Sequence, residues 1–280
     1  MGLGWRRETA WMLHERAGIG AELGGLEFSE IIAESVDPRR PLAPALAHLV
    51  ARGVPVIPHG VTLSLGGAER PDPARLDHLA RVAELLGAPV ISEHVAFVRG
   101  GGIEIGHLAP VPRTWAMLDI LSENITIAQR ALPVPLVVEN IAALFDWPGA
   151  EMSEAEFLSE LVERTGVGLL LDVANLHGNA HNLGGDVPTF LDHLPMDRVV
   201  YAHVAGGFVR DGVYHDTHAH PVGDGVLSVL AQALARRPDL PVLLERDRDF
   251  DGADALAAEL ASIAQVMAEA GPDGEVAHAA

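Results

Sequence analysis

Apolar runs of strand length alternate along this chain with amphipathic stretches of helix length, and the alternation repeats eight times. That rhythm predicts βαβ units and a parallel sheet. The first unit is the weak GLGW with a helix over Glu8 to Gly18. Next come LEFSEIIAE with a helix from Pro41 to Arg52, and VPVIPHG with one from Pro73 to Leu86. In that third helix Leu76, Leu79, Ala80, Ala83 and Leu86 keep helical spacing. PVISEHVAFV precedes a helix over Pro112 to Arg130. PLVVEN precedes one that opens on Ser153 and Glu156, a capping-box pair. VGLLLDVAN, RVVYAHV and PVLLERD supply the last three strands, and Ala253 to Ala270 the closing helix. Eight such units in 280 residues fit a (β/α)8 TIM barrel, which needs ~250. One domain is expected over residues 1–271, with 272–280 a flexible tail.

Six of these strands run straight into a side chain able to bind metal. They end in His59, His94, Glu139, Asp172 with Asn175, His203, and Glu245; Asp216 and His218 follow in YHDTHAHP. In parallel barrels the rim where strands finish is where active sites are built. Two long connections, Gly100 to Pro112 and Ala205 to Gly225, fall on the same side. Without a cation the rim would crowd Glu139, Asp172, Asp216 and Glu245, and two carboxylates ~4 Å apart repel by ~4 kcal/mol at an effective dielectric of ~20. The strand ends offer little Arg beyond Arg246 and Arg248, so divalent ions relieve the repulsion most simply. An all-nitrogen-and-oxygen ligand set suits Fe, Mn or Zn, and a carboxylate between histidines can bridge two ions.

Composition narrows the partners. The chain has 39 acidic and 19 basic residues, a net charge of −20, and no basic stripe to track phosphates, which disfavours nucleic acid. The absence of cysteine removes thiolate zinc sites, disulfides and Cys nucleophiles. No apolar stretch reaches the ~20 residues of a membrane span, and a cytoplasmic location is expected. Of the 14 histidines, His14, His48, His78, His193 and His278 fall in helices or the tail and read as packing. His107, His177, His181, His215 and His220 fall near the rim and read as supporting or substrate-facing. Glu34, which ends the second strand, reads equally as substrate-facing or as a structural hydrogen-bonding group.

The series PHGVTLSLGG, ISEHVAF, HLAPVPRT, VVENIAALF, LLLDVANLHGNAHN, AHVAGG, HDTHAHPV and LLERDRDF resembles the multinuclear non-haem iron oxygenases of the methanobactin-biosynthesis type, MbnB-like with TglH-like relatives. The resemblance implies a TIM barrel of the xylose-isomerase and endonuclease IV kind. It further implies two or three iron ions, Fe(II) and Fe(III), with Zn or Mn as substitutes. The implied substrate is a ribosomally made peptide whose Cys residues are oxidatively modified, presented with a small partner protein encoded nearby. On that basis His59 and His94 bind one ion and Glu139 bridges to a second. Asp172, His203 and Glu245 complete the second site, and Asp216, His218 and Asn175 form the third. The ligand order also resembles endonuclease IV, a metal-dependent phosphodiester hydrolase in which a His is expected where Asn175 stands. Ala174 and Glu93 depart from the oxygenase pattern, where Asn and Asp are usual. A sugar isomerase is a weaker alternative, because the motifs contain no Lys. A non-catalytic metal-binding protein that recruits a partner is the reading from another class.

Overall fold

A computed structural model describes residues 1–10 and 26–270. Eight of its strands build one barrel: β1 (Gly2–Gly4), β2 (Phe28–Ile32), β3 (Val56–His59), β4 (Ile91–His94), β7 (Leu136–Glu139), β8 (Gly168–Asp172), β9 (Val199–Ala205) and β12 (Val242–Glu245). They close in the order β1, β12, β9, β8, β7, β4, β3, β2, every neighbouring pair parallel. The other four strands form two antiparallel hairpins on the rim, Ala96–Gly100 (β5) with Ile103–Pro110 (β6) and Gly207–Arg210 (β10) with Val213–Asp216 (β11).

These hairpins correct two expectations. The fourth barrel strand stops at His94 rather than running on to Val98, and Ala96–Gly100 turns away to pair with Ile103–Pro110. The connection from Ala205 to Gly225 likewise contains the β10–β11 hairpin, which carries Asp216. The first expected helix begins at residues 7–10, and the rest of Glu8 to Gly18 lies outside the described residues.

Helix boundaries follow local chemistry. Asp72 caps Pro73–Leu86 by accepting from the Ala74 N–H, and Thr114 caps Trp115–Ala131 through Met117, so that helix starts later than Pro112. Ser153 and Glu156 form the expected capping box of Glu154–Thr165. Gly87 and Gly166 end their helices in the left-handed conformation, where a side chain would be strained.

The barrel interior explains where the rim chemistry sits. One layer is an apolar plug of Phe28, Ile57, Val137, Leu170, Tyr201 and Leu243. Residues two apart on a strand share a face, so the next interior position on each of those strands is Glu30, His59, Glu139, Asp172, His203 and Glu245. His94 stands in the same relation to Ser92. A polar ring thus lies directly on a hydrophobic floor, while the larger apolar cluster packs the outer barrel wall against the helices. Burying each large apolar side chain of that plug contributes ~1.5–3 kcal/mol.

Candidate metal centre

Three groups of side chains bring donor atoms within 4.8 Å of one another: His59, His94 and Glu139; Glu139, Asp172 and His203; and Asp172, His218 and Glu245. Glu139 and Asp172 each belong to two groups, so the three groups overlap into a ladder joined by shared carboxylates. All but His218 are buried, and His218 is half-buried. The first group is the one expected from the sequence. The third group shares only His218 with the expected set of Asp216, His218 and Asn175, and takes in Asp172 and Glu245. Glu245 lies 3.2 Å from Nδ1 of His203, as the expected second site requires, and its oxygens also group with those of His218 and Asp172. Asp216 sits behind His218, its Oδ2 2.7 Å from Nε2 of that ring.

The strand does not continue to Asn175. It ends at Asp172, whose Oδ1 accepts the Asn175 N–H at 2.7 Å and starts helix Val173–Leu183. Asn175 is therefore in a first helical turn, with its Nδ2 donating to the Asn140 carbonyl. Asn179 and Asn182 extend this polar face one and two turns further. Asn179 accepts from the Ala143 N–H and donates to the Ile141 carbonyl, and Asn182 makes a reciprocal pair with the backbone of Tyr214. Asn140 braces the backbone of Asp172 in the same reciprocal manner. One helix face thus holds the loop after β7 and the hairpin bearing Asp216 in register with the ladder.

Hydrogen bonds set which ring nitrogen each histidine presents. Nδ1 of His94 faces the Gly60 carbonyl at 3.1 Å; a carbonyl only accepts, so Nδ1 carries the proton. That leaves Nε2 facing Glu139 Oε2 at 3.3 Å and Nε2 of His59 at 3.2 Å. Nδ1 of His59 is held by the Ser92 hydroxyl at 2.8 Å. His218 is held with φ of 52°, a strained conformation for a residue with a side chain and one that recurs at functional sites.

The donor set fits a cation. Glu139 Oε2, Asp172 Oδ2, Asn175 Oδ1 and Asp216 Oδ1 are buried acceptors without a hydrogen-bond partner. Unpaired buried acceptors are costly and rare, and four of them lie at this rim, where a cation would satisfy them. The protonation pattern agrees. Burial, with Glu139 and Asp216 alongside, pushes the Asp172 carboxyl well above the usual carboxylate range. Burial would also raise Glu139, but His203, His94 and His59 outweigh it and hold this carboxyl down at about 2. Burial opposes the charged form of His94, yet Glu139 and Glu93 hold it up at about 9. In the metal-free protein His94 and His203, both held protonated by neighbouring carboxylates, therefore act as stand-in cations.

A pH dependence follows. The folded value of His94, about 9, lies above the ordinary ~6.5, so its protonation stabilises the metal-free fold fully below ~6.5 and the stabilisation is lost as pH rises through about 9. Binding a metal must expel that proton. Zinc affinity is expected to rise about tenfold per pH unit from pH ~6.5 to about 9 for this one group, with proton release visible by calorimetry in buffers of different ionisation enthalpy. Flat affinity across that range would contradict it.

Two residues of the site escape the sequence pattern. Glu30, on β2, has Oε1 3.0 Å from Nε2 of His203. Arg6 reaches Glu245 at 3.0 Å and also pairs with Asp247, so a distant Arg, not Arg246 or Arg248, neutralises this rim. Arg246 is buried beside Glu259, away from the ladder, and Arg248 is exposed. Glu34 has one oxygen, Oε1, accepting from the Val61 N–H and the Thr62 hydroxyl, and the other, Oε2, buried without a partner. Glu93 accepts from the Leu63 and His94 N–H groups and shapes the same turn.

A cavity of about 620 Å³ lies over the ladder. His59, His94, Glu139, Asn175, His218 and Glu245 form its floor. Its walls come from both hairpins and the loop after β7, including Leu108, Leu144 and Tyr214. Of the intermediate histidines, His107 and His215 line it. His177 packs edge-on against Tyr214, His181 bonds the Gly212 carbonyl, and His220 bonds Thr217. No helix among the described residues is long and apolar enough to cross a membrane.

The family described as RiPP precursor modification enzyme MbnB/TglH/ChrH matches residues 1–268. A UPF0276 protein of Streptomyces avermitilis is 53% identical over 277 residues, covering 96% of this chain; the chain spans 55% of that relative's length. A UPF0276 protein of Chromobacterium violaceum is 36% identical over 256 residues, covering 91% of each chain. Among solved structures, endonuclease IV from Thermus thermophilus aligns with a TM-score of 0.61 at 24% identity, covering 96% of this chain and 98% of that one. An L-ribulose 3-epimerase aligns at 0.60 and 18% identity, covering 100% and 98%. At these identities the structural likenesses establish the barrel alone.

Proposed function

Because the chain belongs to the RiPP precursor modification enzyme family MbnB/TglH/ChrH, we propose that it is an O2-dependent, multinuclear iron oxidoreductase that oxidatively modifies Cys residues of a ribosomally made precursor peptide. The observation that carries the reading is the carboxylate-bridged ladder: three overlapping His and carboxylate groups sharing Glu139 and Asp172, under an open cavity. Shared carboxylates suit two or more neighbouring ions, an arrangement multi-metal hydrolases also use, and the family match is what favours peptide modification over hydrolysis.

His59 and His94 with Glu139 would hold one iron, Glu139, Asp172 and His203 a second, and Asp172, His218 and Glu245 a third, with Asn175 and Asp216 offering additional oxygens. Bound iron would supply the one-electron redox chemistry through which O2 and a thiol react. The protein's own contribution is geometry and charge. The shared carboxylates keep the sites in contact, and Arg6 offsets the excess negative charge at Glu245. The half-buried Leu108 and exposed Leu144 give the cavity apolar walls for a peptide chain entering from the rim. A small partner protein encoded nearby would help present the peptide.

Anaerobic loading with Fe(II), followed by O2 and the Cys-containing precursor encoded beside the gene, tests the reading through O2 uptake and peptide mass. Iron-dependent O2 uptake with a mass change confined to Cys is expected. Zinc-loaded protein should be inert. Purified protein holding only zinc, with no O2 uptake after iron loading, would refute it, and cleavage of abasic-site DNA by the zinc form would replace it with the hydrolase.

A further inference from the structure

Glu30 occupies the donor layer of the barrel interior but belongs to none of the three metal groups. It lies on the far side of His203. Oε1 and Oε2 stand 3.0 and 3.1 Å from Nε2 of that ring, while Nδ1 of the same ring faces Glu139 Oε1 and Glu245 Oε2, each at 3.2 Å. The Tyr201 hydroxyl, two residues before His203 on the same strand, donates to Glu30 Oε2 at 2.5 Å. Ser92, whose hydroxyl holds Nδ1 of His59, approaches the same oxygen at 3.5 Å. All four side chains are buried, Tyr201 and Glu30 at 2% and Ser92 and His203 at 0% exposure, which shields these bonds from bulk solvent.

A carboxylate only accepts hydrogen bonds, and Tyr201 already donates to this one. Both ring nitrogens of His203 face carboxylates, Nδ1 toward Glu139 and Glu245 and Nε2 toward Glu30. A metal held with Glu139 and Asp172 would take the Nδ1 side, and the hydrogen then stays on Nε2, where Glu30 accepts it. His94 has the reverse arrangement, because its Nδ1 is tied to a carbonyl. A carboxylate behind a ligating imidazole fixes ring orientation and raises donor strength. We propose that Glu30, held by Tyr201, is a positioning residue that fixes His203 to present Nδ1 to the central metal position, opposite in tautomer to His94. The sequence places Glu30 two residues after Phe28, as His59 follows Ile57 by two, so its barrel position is built in the same way as that of the ligands.

This assignment rests on the reading of the ladder as a metal centre, and its test uses zinc, which is diamagnetic and needs no turnover. In zinc-loaded protein labelled with 15N and 13C, long-range 1H–15N correlations, with His203 assigned from its backbone, report which nitrogen is protonated. His203 is expected to show Nε2 protonated and Nδ1 metal-bound, and His94 the reverse. Glu30→Gln should weaken one of the bound zinc ions about 10- to 100-fold and shift the His203 Nε2 signal. Tyr201→Phe, which preserves the ring and its packing, should do the same more weakly. Metal bound through Nε2 of His203, or zinc affinities unchanged in both variants, would overturn the assignment while leaving the metal centre standing. Protein that binds no zinc and no iron would overturn both.

Discussion

Glu139→Gln is expected to cost the protein two bound ions, whereas His94→Ala costs one. The shared oxygens of Glu139 serve the His59 and His94 group and the His203 group together. Gln keeps the volume of the side chain but replaces an anion with a neutral amide, one of whose ends is a donor and cannot ligate. The loss is not confined to coordination. His59, His94 and His203 all approach this carboxylate, at 3.5, 3.3 and 3.2 Å, and without its charge the three rings lose the one anion they share. Each of the two affected ions should be weakened by roughly 100-fold or more, at or above the upper range for removing an outer-shell partner. Iron content by elemental analysis, with thermal unfolding to confirm a folded variant, checks this. Loss of a single ion would show that Glu139 is not shared.

Gly206→Ala is expected to disable the third position without altering any ligand. A Cβ at Gly206 would lie 1.9 Å from the His220 carbonyl oxygen and 2.5 Å from that of Pro221. Both contacts are backbone, so no rotamer change can relieve them. The segment that carries His218 must move, and with it the fit between His218, Glu245 and Asp172. Its φ of 52° and the Asp247 N–H donated to its carbonyl at 2.7 Å leave His218 little freedom to compensate. Overpacking of this kind costs about 3 kcal/mol, a Tm loss of roughly 5–10 °C. The His59, His94 and Glu139 group lies across the barrel mouth and should keep its ion. Retention of every ion with an unchanged Tm would contradict the clash.

The period-two logic of strands makes much of this site readable. His59, Glu139, Asp172 and Glu245 each close an apolar run of strand length, His203 comes two residues before the end of its own, and the fold sets all five in one layer above the apolar plug. The same logic holds for Glu30, which follows Phe28 by two. It is obscured because the apolar run continues through Ile31 and Ile32, which makes Glu34 look like the strand end. Arg6 is out of reach for a different reason. Its partners Glu245 and Asp247 are 239 and 241 positions away, and only closure of the barrel, β1 beside β12, brings them together. Asn175 stands out in the sequence but falls on a helix rather than a strand, since apolar periodicity does not register that Asp172 can end a strand and cap a helix at once. The hairpin Ala96–Gly100 with Ile103–Pro110 is hidden for a similar reason. VAFV continues the apolar run of β4, and the hairpin shows itself only in the turn at Gly101 and Gly102, both at positive φ.

Iron-edge anomalous diffraction from anaerobically loaded crystals tests the ladder most directly. At least two peaks are expected, one among His59, His94 and Glu139 and the next among Glu139, Asp172 and His203, with Glu139 between them. A single peak, or peaks away from these side chains, would contradict the shared-carboxylate centre.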